Sequence, residues 1–138
     1  MAIDLLSAAS DGVFALLDAA ISPDVAEVAT NPEQREPGDA GDRNVVMFGD
    51  IDSENVAGKG EQCERITIEI IVIYRGNQRS QLQSLMHLVR DALENAVPAI
   101  AGVTFQSIDF LGAASSPPAT DGVTHAGIVT ISLEAEPA

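Results

Sequence analysis

The chain of 138 residues contains no tryptophan, one tyrosine and four phenylalanines, so aromatic residues make up only 4% of it. A surface this poor in rings lacks the stacking platforms on which binding of single-stranded nucleic acid depends. Cations are scarce too: seven Lys and Arg stand against 21 Asp and Glu, for a formal net charge of −14. Affinity for free DNA or RNA rests largely on cation–phosphate contacts, so this balance argues against sequence-specific nucleic-acid binding. Cys63 is the single cysteine, which excludes an intrachain disulfide and a thiolate metal cluster. No apolar run approaches the roughly 18–20 residues that span a bilayer. The first apolar residues are interrupted by Asp4, Ser7, Ser10 and Asp11 and follow no basic region, unlike a signal peptide. A soluble protein of the cytoplasm, with no membrane association, is expected.

Catalytic and cofactor patterns are missing as well. The glycines form neither GxGxxG nor GxxxxGK[ST], and no serine sits in GxSxG, so phosphate-cradling loops and a nucleophile elbow are not indicated. His87 and His125 lie far apart without Cys or carboxylate partners at metal-ligand spacing, and both read as structural. Cys63 with a distant histidine is not a nucleophile pattern. Asp50, Asp52 and Glu54 alternate as oxygen ligands do, but the loop has neither the glycine at its sixth position nor the closing glutamate at its twelfth. They read as a solvated hairpin rim. No catalytic residue, metal or cofactor is expected, and an enzyme is not.

What the chain does have is aliphatic patterning. Hydrophobic residues make up 46%, enough for one domain over residues 1–138 with a real core. The stretch 61–97 is the most informative. Ile66, Ile68, Ile70, Val72 and Tyr74 recur at a period of two, which predicts a strand over 62–75 with these residues facing inward. Leu82, Leu85, Met86, Val89, Leu93 and Ala96 recur at helical spacing, which predicts an amphipathic helix over about 78–97 stopped by Pro98. No acid occurs from Ile70 to Arg90, where Arg75, Arg79 and Arg90 fall; residues 1–69 and 91–138 carry all 21 acids. One basic segment between acidic ones suits either head-to-tail contact between identical subunits or arginines lining a solvated helix face.

Elsewhere, residues 3–21 predict a helix with a stripe of Leu6, Val13, Leu17 and Ala20, widened by Leu5, Leu16 and Ile21; Asp11-Gly12 is its weak point, so one helix or two short pieces are both open. Val45–Ile51, Val103–Leu111 and Val123–Glu134 predict three further strands. Residues 22–44 and 112–122, rich in proline and glycine, predict mobile loops. The order α-β-β-α-β-β predicts an α+β fold: a two-layer sandwich, with a four-stranded, mostly antiparallel sheet and two helices on one face. The other face then carries Thr67, Glu69, Ile71 and Ile73. Two of these are too apolar for a face open to water, so either a loop or a neighbouring subunit is expected to cover them, the subunit being preferred.

This order of elements, with DGVFALLDAAI in the first helix, VVMFGDI and ERITIEIIVIY in the strands, VRDALEN closing the second helix, and the pair VTFQSIDFLG and VTHAGIVTISLEAE, resembles the tail-terminator, or tail-completion, proteins of long-tailed bacteriophages and gene-transfer agents. The stretch from Arg65 to Asn95 carries the resemblance best; the 30–44 loop and the 113–122 tip are longer and richer in proline than the family leads one to expect. The resemblance implies a virion structural protein at the neck-proximal end of the tail. It would form a six-subunit ring that caps the tail tube, ends its polymerisation and docks the head's connector, with the tube and head-completion proteins as partners and DNA passing through. The site residues this suggests are Ile71, Ile73, Arg75, Arg79 and Arg90, at a subunit or tube interface. Other readings are a head–tail connector or tube subunit, and a small-molecule-binding regulatory α+β module.

Overall fold

Ile66, Ile68, Ile70 and Val72 are completely buried in the computed structural model, whereas Thr67, Glu69, Ile71 and Ile73 between them are only partly so. The structure describes residues 3–22, 24–29, 44–56, 61–76, 78–116 and 124–138. In chain order the elements are α1 (Leu5–Ala20), β1 (Glu27–Ala29), β2 (Val45–Asn55), β3 (Glu64–Arg75), α2 (Arg79–Leu93), β4 (Val103–Phe105), β5 (Asp109–Ser115) and β6 (Thr124–Pro137).

The fold is α+β as expected, but the described residues form six strands instead of four. β3 lies between β2 and β6 and pairs antiparallel with both. The far edge of β6 is shared: β4 pairs with its last residues and β5 with Gly127–Ser132. β1 runs parallel to the start of β2. Two of these strands were not separable in the sequence. β1 has three residues, too few for a period to show, and it is fixed by its flanks: the Glu27 N–H donates to Asn44 O (2.9 Å) and Asn44 Nδ2 to Val25 O (3.0 Å). The predicted strand 103–111 breaks at 106–108 because Phe105 and Ile108 are both buried. Residues three apart cannot share one face of a strand. The chain instead leaves the ladder, where Asn95 N–H donates to Ile108 O (2.9 Å) and Ile108 N–H to Ala96 O (2.8 Å).

β5 then continues through Gly112–Ser115, which the proline-rich loop had been expected to include. The rest of that loop, residues 117–122, and most of the 22–44 loop, residue 23 and residues 30–43, lie outside the described residues.

Both helices pack on the face formed by Ile66, Ile68, Ile70, Val72, Val129, Ile131 and Leu133, closing one core. α2 buries Leu82, Leu85, Met86, Val89 and Leu93, the predicted stripe, but ends at Leu93, before Pro98. Asn95 adopts φ 65° there, a left-handed exit that asparagine tolerates, and the hydrogen bonds to Ile108 then take over. α1 differs more. It buries Leu5, Ala8, Ala9, Gly12, Val13 and Leu17, while Leu6 of the expected stripe is 37% exposed. Small residues face inward so that the helix can sit close. A Cβ on Gly12 would lie 2.7 Å from Pro98 Cβ, so the glycine serves a close approach and does not split the helix.

Candidate functional site

The sheet face turned away from the helices can be followed row by row from the register. At one end Val45, Ile73 and Ala126 lie side by side, and next to them Met47, Ile71, Ile128 and Ala114. The following rows are polar: Asp50 with Glu69 and Thr130, then Asp52, Thr67, Ser132 and Asp109, then Glu54, Arg65 and Glu134. One face thus has an apolar half and an acidic half, in which Arg65 Nη2 bonds Glu134 Oε1 at 3.1 Å. Among the described residues, Ile128 remains 38% exposed in the apolar half.

Two irregularities shape this face. In β2 the ladder slips between Phe48 and Ile51, so Gly49 and Asp50 together oppose Glu69. A Cβ on Gly49 would approach Ile71 Cδ1 to 2.9 Å, so its absence lets Ile71 lie across β2. In β5 the slip falls between Phe110 and Gly112. Phe110 opposite Ile131 and Ala113 opposite Val129 face the helices, so Leu111 and Gly112 both turn to the open side. Leu111 is 57% exposed. Simple alternation missed it, because a bulge leaves no trace in hydrophobic spacing.

The structure puts Ile71 and Ile73 at the centre of the apolar half. Arg75 ends the same strand, with its N–H donating to Asn44 Oδ1 (3.0 Å) and Nη1 to Thr124 Oγ1 (3.2 Å). Its Nε is buried with no partner among the described residues. Arg79 and Arg90 are not part of this face. Arg79 Nη2 donates to Ser115 O (3.2 Å) and Oγ (3.3 Å), tying the start of α2 to the end of β5. Arg90 lies 3.9 Å above the Phe110 ring and bonds Glu94 Oε2 at 2.5 Å. Between them, α2 and β5 leave a groove of about 260 Å³ lined by Gln83, Met86, His87, Arg90, Phe110 and Ala113.

The remaining chemistry-bearing residues take structural places. His125 is buried, with Nε2 3.1 Å from Gly76 O and its ring tilted against Tyr74. Burial raises the Cys63 thiol, and Glu134 and Glu136 raise it further, the opposite of the shift that activates a nucleophilic cysteine. Asp50, Asp52 and Glu54 sit in successive rows of the sheet without converging. No group of three or more His, Cys, Asp or Glu that could hold a metal occurs among the described residues.

Residues 9–133 match the family model described as tail completion protein gp17. No curated protein matches the chain. Among solved structures, a chain from the virion of a native gene transfer agent particle superimposes with a TM-score of 0.80. The match covers 98% of this chain and 99% of that one at 17% sequence identity, a likeness of fold.

Proposed function

The chain belongs to the tail completion protein gp17 family, and on that premise we propose that it is a non-enzymatic structural protein of the virion tail that assembles as a ring on the head-proximal end of the tail tube. Such a ring ends tube polymerisation and presents a surface to the head's connector. The observation that carries the ring is the apolar half of the open sheet face, where the partly buried Met47, Ile71 and Ile73 lie beside Ile128, 38% exposed, on the side turned away from the helices. An apolar patch of this kind usually marks a contact, and identical subunits meeting head to tail close into a ring when the rotation between them closes. In this reading the single domain uses Ile71, Ile73 and Arg75 against a ring neighbour or the tube, six copies form the ring, and Arg79 and Arg90 meet acids across a contact. The acidic half of the same face suits a passage for DNA, because carboxylates repel phosphates.

The experiment is light scattering and electron microscopy of the double variant Ile71→Asp, Ile73→Asp beside assembled tail tubes. Loss of capping rings is expected, with the monomer still folded by circular dichroism. Unchanged assembly would refute the assignment. Closed rings rather than open tubes in the unmodified protein separate a terminator from a tube subunit.

A further inference from the structure

The edges of the sheet differ. Beyond Met47 the outer edge of β2 pairs with no described strand, yet it is studded with Asp50, Asp52 and Glu54, the charges by which proteins keep edges from pairing. The outer edge of β5 is also unpaired among the described residues, since β5 pairs with β6 alone, and from Phe110 to Ser115 it carries no charge and no proline. Beside this uncharged edge, which a bulge interrupts at Leu111 and Gly112, runs the groove under α2, lined by Met86, Phe110 and Ala113. Along α2 the charges beside it are Arg79, bonded to Ser115 at one end, and Arg90 at the Phe110 end, where Glu94 pairs with Arg90 and Asp91 stands next to it.

We infer that this edge and groove take an extended acidic segment of a different protein chain, added to the sheet as a further strand. The spacing sets what the segment looks like. Arg79 and Arg90 are eleven residues apart on one helix, roughly 16 Å along its axis. Strand residues k and k+4 point the same way about 13 Å apart. Carboxylates at those positions meet the two arginines, with an apolar residue at k+2 over Phe110 and Ala113. Backbone hydrogen bonds give the segment its hold and the charges its selection. The incoming carboxylate takes the place that Glu94 now holds on Arg90.

A second copy of this chain does not suit the site. Its β1 and β4 also end the sheet but have only three residues each, and a second β5 brings no acid between Phe110 and Ser115; β2 is long enough, but its acids face the open side of the sheet. Continuing the sheet with β2 would set them beside Asp109 and leave Arg79 and Arg90, on the helix side, unmatched. The inference rests on the virion reading above for the source of such a chain, a neighbour in the tail or neck.

The test is an amide NMR titration of the full chain with the capped hexapeptide Glu-Thr-Val-Thr-Glu-Thr, against the same peptide with Gln for Glu. Shifts confined to 109–115 and 79–90, slowed exchange of β5 amides, and about tenfold weaker binding of the Gln peptide are expected. Arg79→Gln and the double variant Arg79→Gln, Arg90→Gln should lose binding while keeping a native spectrum, and Arg65→Gln should not. No shift at millimolar peptide, equal binding of the Gln peptide, or shifts on the open face would overturn the inference. So would concentration-dependent shifts of β5 without peptide, which would make a second copy the occupant. The titration is repeated on Ile71→Asp, Ile73→Asp: retained binding supports the groove whatever becomes of the ring, and lost binding overturns it.

Discussion

Gly12 shows how one residue can be misjudged from propensity. In an isolated helix, Gly12→Ala would gain about 1 kcal/mol. Here the new Cβ would meet the Pro98 ring at 2.7 Å, and overpacking a rigid neighbour costs about 1–3 kcal/mol. The expected net is a loss of about 1 kcal/mol, read as a lower urea midpoint at unchanged slope; a gain in stability would show that Pro98 yields. Ile71 and Ile73 were legible beforehand because strict alternation along β3 leaves no doubt about faces. Leu111 and Gly49 were not. Their places depend on register slips opposite Glu69 and Thr130, and nothing in a single strand's spacing reports what lies beside it.

Among the elements, α1 begins at an explicit cap. Asp4 Oδ1 accepts from the Ser7 N–H at 3.0 Å and Oδ2 from the Ser7 hydroxyl at 2.7 Å. These bonds, the backbone one first, hold the Asp4 carboxyl below its ordinary value of 3.8. A carboxylate lowered by folding stabilises the folded state above its unfolded pKa. The cap is therefore intact at neutral pH and is lost as pH falls below 3.8 through the folded value. Asp4→Ala should speed hydrogen exchange of the Ser7 amide and its neighbours at neutral pH, with the difference from the unmodified chain shrinking in acid. Equal exchange rates at neutral pH would mean that the cap contributes nothing. α2 was legible nearly in full because its stripe and its basic charge are local properties. The break between β4 and β5 was not, since it follows from two buried residues, Phe105 and Ile108, that compete for one side of the chain.

For the whole molecule, a net charge of −14 on 138 residues is a standing self-repulsion. Six of the acids, Asp50, Asp52, Glu54, Glu69, Asp109 and Glu134, are gathered on one half of a single sheet face. Salt shortens the reach of such repulsion, to roughly 10 Å at 0.1 M and 3 Å at 1 M. Raising sodium chloride from about 10 mM to about 0.5 M should raise the thermal midpoint of the monomer. A fall would mean that the Arg65–Glu134 and Arg90–Glu94 pairs outweigh the repulsion, contrary to the small worth of exposed pairs. Ring formation through an apolar contact should survive the same salt, whereas peptide binding at Arg79 and Arg90 should weaken.

By itself the sequence determined the class of fold, the two main helices, the alternation of β3 and the absence of any recognisable catalytic pattern. These follow from local composition and from periods of 2 and 3.6 residues, which each segment carries alone. Only the tertiary structure decided how many strands there are, which half of the open face is apolar, and that Arg79 and Arg90 stand behind the sheet instead of on it. Those are properties of register and of which segments lie side by side, and long-range pairing is settled by the common core rather than by any one stretch of chain.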